Sequence, residues 1–217
     1  MYKRQGAIKV IVDDLSDEFV SNYVFPMFRC NTLYEGEYLL GTAIARPLIA
    51  KRLVEIANQE GTNFIAHGAT GKGNDQIRFE MGAHALNSEI QVIAPWREWD
   101  LSSRTDLMNY CKENQIPMPA SKAEEPPFSM DENLLHISYE GGVLEDLSTP
   151  PPEDMWLKVK SLEKANSEPE TINIKFQNGD PVAINDNALT DAEILKNLND
   201  LGLSLIHISE PTRLSRI

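Results

Sequence analysis

The chain has 217 residues, 41% hydrophobic and 24% charged, and it carries a formal net charge of −13 at pH 7. This is the composition of an ordinary globular protein with room for one large domain or slightly more. The acidity argues against a general binder of nucleic acids or anionic membranes, since such a protein needs a basic surface. It is compatible with a locally positive pocket for ATP.

Cysteine and histidine usage favours a cytoplasmic protein without a structural metal. Cys30 and Cys111 have no paired spacing, which fits a reducing compartment, and the four histidines form no cluster with zinc spacing. No stretch is apolar enough to span a membrane, and no signal-like apolar region follows the first five residues.

The first 120 residues predict strands that alternate with helices. Such alternation is typical of βαβ units, which form a parallel sheet and bind ligands at the carboxyl ends of its strands. Pro26 is expected to break one helix, Pro47 to start or kink the next, and Gly61 to cap it. The predicted strands cover residues 7–12, 63–66 and 90–94, with the second one buried, and the predicted helices cover 17–28, 42–58, 77–86 and 104–114.

The pattern changes near Ala120, and a second, α+β region is predicted beyond it. We therefore predict a nucleotide-binding domain over residues 6–120 and a second domain over 121–203. Residues 1–5 and 204–217 continue no pattern and are expected to be either non-native additions or disordered tails. The second region contains a linker at 122–127, a strand at 134–139, a loop at 148–152, a hairpin of 172–176 with 182–184 turning at 178–180, and a helix over 191–201 that ends at Gly202.

The richest stretch is the glycine loop at residues 67–80, His-Gly-Ala-Thr-Gly-Lys-Gly-Asn-Asp-Gln-Ile-Arg-Phe-Glu. A strand, a glycine loop and a helix start form the geometry that binds anions. The spacing matches neither a Walker A motif nor the Gly-x-Gly-x-x-Gly fingerprint, so a flexible turn without a ligand is the alternative. In a helix, Arg78 shares a face with Asn74 and Asp75, and this amide, carboxylate and guanidinium suit an amino-acid-like ligand.

Four motifs in order resemble the argininosuccinate synthase family, over about residues 7–202. They are the loop at 67–80, Tyr-Leu-Leu-Gly-Thr-Ala-Ile-Ala-Arg-Pro-Leu-Ile-Ala at 38–50, Ile-Ala-Pro-Trp-Arg at 93–97, and Ser-Met-Asp-Glu-Asn-Leu-Leu-His-Ile-Ser-Tyr-Glu at 129–140. The resemblance implies an α/β, parallel-sheet, Rossmann-like nucleotide-binding domain of the adenine nucleotide alpha hydrolase type. Part of an α+β synthetase and multimerisation domain follows it.

The resemblance also implies a reaction. ATP, accompanied by Mg2+, adenylates the ureido oxygen of citrulline and releases pyrophosphate; the aspartate amine then displaces AMP to give argininosuccinate for arginine synthesis. The protein would hold the ligands in line and stabilise the developing phosphate charge. By the same resemblance, the full-length protein is expected to be a cytoplasmic homotetramer, and no nucleic-acid or membrane partner is expected.

Site roles follow from the same resemblance. Tyr38, Asn74, Arg78, Ser129 and Ser138 occupy citrulline positions, Thr70, Asn74 and Asp75 occupy aspartate positions, and the Gly68 backbone occupies an ATP position. No residue is assigned to a metal.

Each assignment has a simpler alternative. Tyr38 could be a boundary residue, Ser138 could lie on a solvated strand face, and Asp75 could cap a helix. Lys72 could be a solvated loop residue, while His67 and Trp96 are better explained by structure and packing than by chemistry.

Two departures from the family pattern bear on activity. Ala43 stands where many members carry a hydroxyl that reaches citrulline, a hydrogen bond worth about 0.5–1.5 kcal/mol. The sequence contains no Ser-Gly-Gly-x-Asp-[Thr/Ser]-Ser pyrophosphate loop, and the later part of the second domain also has no counterpart. We therefore expect a fragment with little turnover; the alternatives are a non-catalytic amino-acid-binding fragment or another ligase of the ATP-pyrophosphatase superfamily.

Overall fold

The computed structural model describes residues 6–70, 73–101, 103–117, 128–152, 155–157, 160, 164 and 168–203. Contacts divide the chain into two compact units, residues 33–155 and residues 1–32 with 156–217. In the described ranges, no helix is both long and apolar enough to cross a membrane. The predicted linker at 122–127 and both predicted tails lie outside these ranges.

The described elements are helices and short strands. In chain order they are α1 (Ser16–Phe19), a π-helical turn (Val20–Val24), α2 (Phe25–Arg29), α3 (Gly41–Gln59), β1 (Phe64–Ala66), α4 (Asn74–Leu86), β2 (Gln91–Ile93), α5 (Pro95–Glu98), α6 (Arg104–Glu113), β3 (Ser129–Glu132), β4 (Ile137–Glu140), a 3-10 turn (Gly142–Glu145), β5 (Ile174–Gln177), β6 (Asp180–Ile184), β7 (Asn187–Ala188) and α7 (Asp191–Leu203).

The unit of residues 33–155 is built on a βαβ arrangement. Strands β1 and β2 pair in parallel, with Ile65 opposite Val92, and α4 connects them. The predicted strands and the predicted parallel pairing are confirmed here. Helix α3 packs against α4 and β1, and a small apolar core of Val54, Ala57, Ile65, Ala83 and Ile90 lies between them.

A glycine allows the two long helices of this unit to approach closely. A Cβ atom added to Gly82 would lie 3.1 Å from the Ala50 Cβ and 3.7 Å from the Pro47 Cα. Gly82 lies in the third turn of α4, and Ala50 lies in the middle of α3. With the helices this close, Asp75 in the first turn of α4 reaches Arg46 of α3 in the ion pair described below.

The unit also contains an antiparallel hairpin of β3 and β4. Ser129 pairs with Glu140 and Asp131 with Ser138. The prediction of a strand over 134–139 is wrong at its start, because residues 133–136 form the turn. Asn133 closes that turn: its Oδ1 accepts hydrogen bonds from the Leu135 and His136 amides at 2.8 and 3.2 Å. Strand β3 had no sequence prediction.

The other unit joins the first helices to the C-terminal hairpin and helix. β5 and β6 form the predicted antiparallel hairpin, and β7 adds a third strand. Val20, Val24, Ile184 and Ile194 are among its buried side chains. Polar contacts support the same packing: Ser21 donates to the Asp191 carboxylate, the Ala192 amide donates to Asp17, and Arg29 pairs with Asp180.

Two strand predictions need correction. Residues 7–12 form no strand, and Ile8 and Val12 are 100% and 90% exposed. Their β-branched side chains favour extended backbone, but a strand also needs a partner strand, and the described sheets do not include residues 7–12. Strand β1 is not buried on both faces, since Ile65 is buried but Phe64 is 52% exposed.

The predictions for proline and glycine at helix ends are partly wrong. Pro26 does not break the first helical run, because it lies in the first turn of α2, where its missing N–H is not needed. Helix α3 begins six residues before Pro47, so this proline does not start it. Gly61, with φ of 70°, follows α3 as predicted. Helix α7 continues past Gly202 to Leu203.

Candidate functional site

A cavity of about 930 Å3 lies at the carboxyl end of β1 in the unit of residues 33–155. Its volume is near the upper end of the roughly 300–1,000 Å3 typical of ligand pockets. Side chains and backbone from four regions meet there: the turn before α3, the start of α3, the glycine loop with the first turns of α4, and the β3–β4 hairpin. The described lining residues are Tyr34, Glu35, Tyr38, Leu40, Thr42, Ala43, Gly68, Ala69, Thr70, Gly73, Asn74, Asp75, Arg78, Asp131 and Glu140.

Ala43 lines this cavity, as do six of the eight residues given ligand roles from the sequence. The six are Tyr38, Gly68, Thr70, Asn74, Asp75 and Arg78. Ser138 is not a lining residue, but it pairs with Asp131 and lies two positions before Glu140, so it shares the strand face of two lining carboxylates. Ser129 occupies the register position opposite Glu140. Lys72 lies outside the described residues.

The polar centre of the cavity is a carboxylate held by two arginines. Arg46 donates from Nε and Nη2 to Asp75 Oδ2 at 3.0 and 2.9 Å, and Arg78 donates from Nη1 to Asp75 Oδ1 at 2.9 Å. The predicted proximity of Asp75 and Arg78 is therefore confirmed. Asp75 does not cap the helix, because Gly73 is the N-cap of α4. Arg46 comes from α3; it lies within the motif at 38–50, but no role had been assigned to it from the sequence.

The two guanidinium groups determine the charge state of Asp75. Partial burial by itself raises the pKa of this carboxyl, but the hydrogen bonds and charges of Arg46 and Arg78 outweigh it. The pKa therefore lies below its ordinary value of 3.8. A carboxylate with a lowered pKa is a weak base at neutral pH, so Asp75 is suited to accept a hydrogen bond from a cation rather than to remove a proton.

His67 holds the start of the glycine loop in place. Its Nδ1 accepts a hydrogen bond from the Ala69 amide at 3.3 Å, so in the neutral ring the proton lies on Nε2, which contacts Glu80 Oε1 at 3.3 Å. The ring stacks on Phe79, and Arg97 Nη2 pairs with Glu80 at 2.8 Å. His67 does not line the cavity, and these contacts support the structural explanation of this residue.

The turn before α3 brings two tyrosines to the cavity rim. Tyr34 and Tyr38 exchange backbone hydrogen bonds of 2.9 and 3.0 Å, and Glu35 and Gly36 between them have φ of 53° and 81°. The Tyr38 ring lies 4.7 Å from the His136 ring, measured between centroids. Burial lowers the pKa of His136 below 6.5, although the charge of Asp131 opposes this, so the ring is neutral near pH 7.

Asn133 links the hairpin to the start of α3. Its Nδ2 donates to Thr42 Oγ1 at 3.3 Å and contacts His136 Nε2 at 3.2 Å. His136 Nε2 is thus an acceptor, and the proton lies on Nδ1, which is buried without a hydrogen-bond partner among the described residues. Gly41 makes this contact possible, because a Cβ there would lie 2.5 Å from Asn133 Oδ1.

The lining is more acidic than the sequence motifs suggested. Among the described lining residues, Glu35, Asp75, Asp131 and Glu140 are carboxylates and Arg78 is the basic residue. Unit charges 4 Å apart interact with about 1 kcal/mol in water and about 4 kcal/mol near a protein surface. The cavity therefore favours ligands with an ammonium group, and polyphosphates would need a metal counter-ion there.

A second, smaller cavity of about 230 Å3 shares Gly68 with the first. Its lining is apolar and includes Trp96, which fits the packing explanation of this residue, together with Pro95, Trp99, Leu101 and Leu107. Trp99 stacks on Tyr110 at a centroid distance of 5.9 Å.

The chain is similar to proteins of one family along most of its length. The family model for the arginosuccinate synthase N-terminal HUP domain matches residues 2–117, and the model for the arginosuccinate synthase C-terminal domain matches residues 128–204. The argininosuccinate synthases of Ectopseudomonas mendocina and Stutzerimonas stutzeri are each 58% identical over 197 residues, 91% of this chain and 49% of theirs. That of Nitratiruptor sp. is 58% identical over 193 residues, 89% of this chain and 47% of its own. The chain thus spans about half the length of the curated relatives it matches.

Proposed function

The chain belongs to the argininosuccinate synthase family, and on that premise we propose that it supplies the amino-acid-binding part of such an enzyme. The whole protein would condense citrulline with aspartate, using ATP and releasing AMP and pyrophosphate. The observation that carries the proposal is the cavity at the end of β1, which is lined by Tyr38, Gly68, Thr70, Asn74, Asp75 and Arg78.

The charges of the cavity suit α-amino acids. Asp75, with its lowered pKa, stays ionised and can accept a hydrogen bond from an ammonium group. Arg78 offers a guanidinium to a carboxylate, and the Tyr38 and Thr70 hydroxyls and the Asn74 amide add neutral donors and acceptors. We assign aspartate to Thr70, Asn74 and Asp75, and citrulline to Tyr38, Asn74 and Arg78 with Ser129 and Ser138 on the hairpin.

The chemistry has two displacement steps. The ureido oxygen of citrulline attacks the α-phosphorus of ATP and pyrophosphate leaves; the deprotonated aspartate amine then attacks the ureido carbon, and AMP leaves with that oxygen. The residues of this cavity act by holding the amine and the ureido carbon close together. The Gly68 backbone, at the junction of the two cavities, is assigned to the nucleotide.

Mg2+ enters the proposal as the companion of the ATP phosphates. This ion is commonly held by substrate phosphates with one or two carboxylates, and it would offset the acidic lining. Within the described ranges, no group of three His, Cys, Asp or Glu side chains is placed to hold a metal. We assign no protein ligand to it.

The remaining expectations concern the whole protein. A cytoplasmic location fits the free thiols of Cys30 and Cys111, and the net charge of −13 disfavours nucleic acids and anionic membranes as partners. A homotetramer is proposed by family likeness. The predicted division at residue 120 is also kept as a proposal, supported by two family models that match on either side of residues 118–127.

Calorimetry and a pyrophosphate assay test the proposal. We expect the chain to bind L-aspartate or L-citrulline and Asp75→Asn to weaken aspartate binding, while pyrophosphate release from Mg-ATP with both amino acids stays at background. No heat with either amino acid would overturn the amino-acid site. Rapid pyrophosphate release would overturn the expectation that this chain has little turnover of its own.

A further inference from the structure

Arg46 lies behind the cavity wall and reaches the cavity through Asp75. It does not line the cavity, but both of its hydrogen bonds go to Asp75 Oδ2, while Arg78 uses Oδ1. Its guanidinium also lies over the Phe79 ring, with Cζ 5.5 Å from the centroid. The two oxygens of one carboxylate are thus divided between two arginines from different helices.

Because Arg46 holds one carboxylate oxygen, Asp75 and Arg78 do not form a two-bond ion pair with each other. Carboxylate and guanidinium groups prefer a parallel, two-bond pair, and residues three apart on a helix are close enough to form one. Arg46 occupies Oδ2, so Arg78 contacts Asp75 through one N–H. A carboxylate has about four acceptor positions, and the three contacts leave about one of them on Oδ1.

We propose that Arg46 is a positioning residue for the α-amino acid ligand of this cavity: by holding Asp75 Oδ2, it keeps Oδ1 available for the ligand's ammonium group and the Arg78 guanidinium available for the ligand's carboxylate. The identity of the ligand rests on the proposed function. The division of the carboxylate between two arginines does not depend on it.

This role requires the planar guanidinium group with its paired N–H donors, and a positive charge alone is not enough. The Arg46 guanidinium gives two N–H groups in one plane to a single oxygen while its Cζ lies over the Phe79 ring, and an ammonium group on a flexible stem has no such planar pair of donors. A lysine at position 46 would keep the charge beside Asp75 but would leave Oδ2 free to turn toward Arg78. Arg46→Lys therefore distinguishes the effect of the positive charge on Asp75 from the effect of the hydrogen bonds that hold Oδ2.

Arg52 provides a matched control. It lies on the same helix, its side chain is 28% exposed against 27% for Arg46, and it also pairs with a carboxylate, Glu55, at 3.0 Å. Arg46→Met, Arg46→Lys and Arg52→Met are compared with the unmodified chain. The Asp75 carboxyl pKa is measured by carbon-13 NMR, the affinity for L-aspartate by calorimetry, and folding by amide NMR spectra.

We expect Arg46→Met to raise the Asp75 pKa and to weaken L-aspartate binding about tenfold, equivalent to about 1.4 kcal/mol. Arg46→Lys should keep the pKa lowered yet lose a similar factor in affinity, and Arg52→Met should change neither. Native affinity in Arg46→Lys would overturn the positioning role. So would an unchanged Asp75 pKa in Arg46→Met, or loss of folding in Arg46→Lys while Arg52→Met stays folded.

Failure of the proposed function gives a different result. In that case the unmodified chain binds neither L-aspartate nor L-citrulline, while the Asp75 pKa still rises in Arg46→Met and stays lowered in Arg46→Lys. That outcome would disprove both the amino-acid ligand and the positioning role of Arg46. It would leave standing the conclusion that Arg46 lowers the pKa of Asp75.

Discussion

Replacing Gly41 with alanine is expected to displace Asn133 and loosen the hairpin that forms one wall of the cavity. The added Cβ would lie 2.5 Å from Asn133 Oδ1, where ordinary contact begins at about 3.4 Å, so one of the two must move by about 0.9 Å. The Leu135 amide donates to that oxygen at 2.8 Å and the His136 amide at 3.2 Å, and both bonds would break or stretch.

The size of the effect follows from these contacts. Two or three hydrogen bonds of Asn133, at about 1 kcal/mol each, are offset by about 0.5–1 kcal/mol from placing alanine rather than glycine in a helix. We expect Gly41→Ala to lower the free energy of unfolding by about 2 kcal/mol. Urea unfolding followed by the fluorescence of Trp96 and Trp99, which lie in the same unit as Gly41, measures it.

A double-mutant cycle tests the reason for the loss. Asn133→Ala removes the group that clashes, so in that background Gly41→Ala should raise the free energy of unfolding by about 0.5–1 kcal/mol, and the coupling should be about 2.5–3 kcal/mol. Gly202→Ala is the control, since nothing lies within 4 Å of its added Cβ. An equal loss from Gly41→Ala with and without Asn133, or no loss at all, would refute the reasoning.

Three further predictions concern pH, helix packing and the core of the other unit. Because burial lowers the pKa of His136 below 6.5, the unfolded chain takes up this proton first, so stability should fall as the pH drops from 6.5 through the folded pKa. His136→Gln should show a smaller fall over the same range in urea titrations. Gly82→Val should lower the free energy of unfolding by about 1–3 kcal/mol, because a Cβ added there would lie 3.1 Å from the Ala50 Cβ. Ala50→Gly in the same chain should restore part of that stability. Ile194→Ala should lower the free energy of unfolding, measured by calorimetric melting, by about 2–5 kcal/mol, since Ile194 is fully buried. Ile174→Ala in the same unit should lower it clearly less, because Ile174 is 38% exposed. Equal losses would contradict the burial argument.

Local patterns predicted those parts of the fold whose signals lie within one segment. Helices α3, α4 and α6 show apolar periodicity, and Asn178-Gly179-Asp180 places a turn between two alternating runs. Residues 7–12 carry an equally clear β-branched signal, yet they form no strand. Strand formation depends on a partner elsewhere in the chain, and no local pattern reports whether that partner is in place.

The residues of the candidate site were likewise predictable mainly where one local segment carries them. Gly68, Thr70, Asn74, Asp75 and Arg78 could be found from the sequence because one strand–loop–helix segment carries them all to the same cavity. Tyr38, outside this segment, was assigned by family resemblance, but other contributions from neighbouring elements were missed. Arg46 is 29 positions from Asp75, and it meets that residue because the two helices approach at Gly82.

The acidic wall was missed for the same reason. Glu35 comes from a turn, and Asp131 and Glu140 come from a hairpin whose register brings them to one face. Their spacing in the sequence shows no common site. The pairing of β3 with β4 determines which side chains of this hairpin can reach the cavity.

The central claim is that the cavity at the end of β1 binds the amino-acid substrates, and amide NMR during titration with L-aspartate tests it most directly. Saturable shifts are predicted at Thr70, Asn74, Asp75 and Arg78, with smaller ones at Tyr38, while the core of the other unit stays unchanged. Shifts centred on that core, at Ile184 and Ile194, or no saturable shifts with either L-aspartate or L-citrulline, would contradict the account.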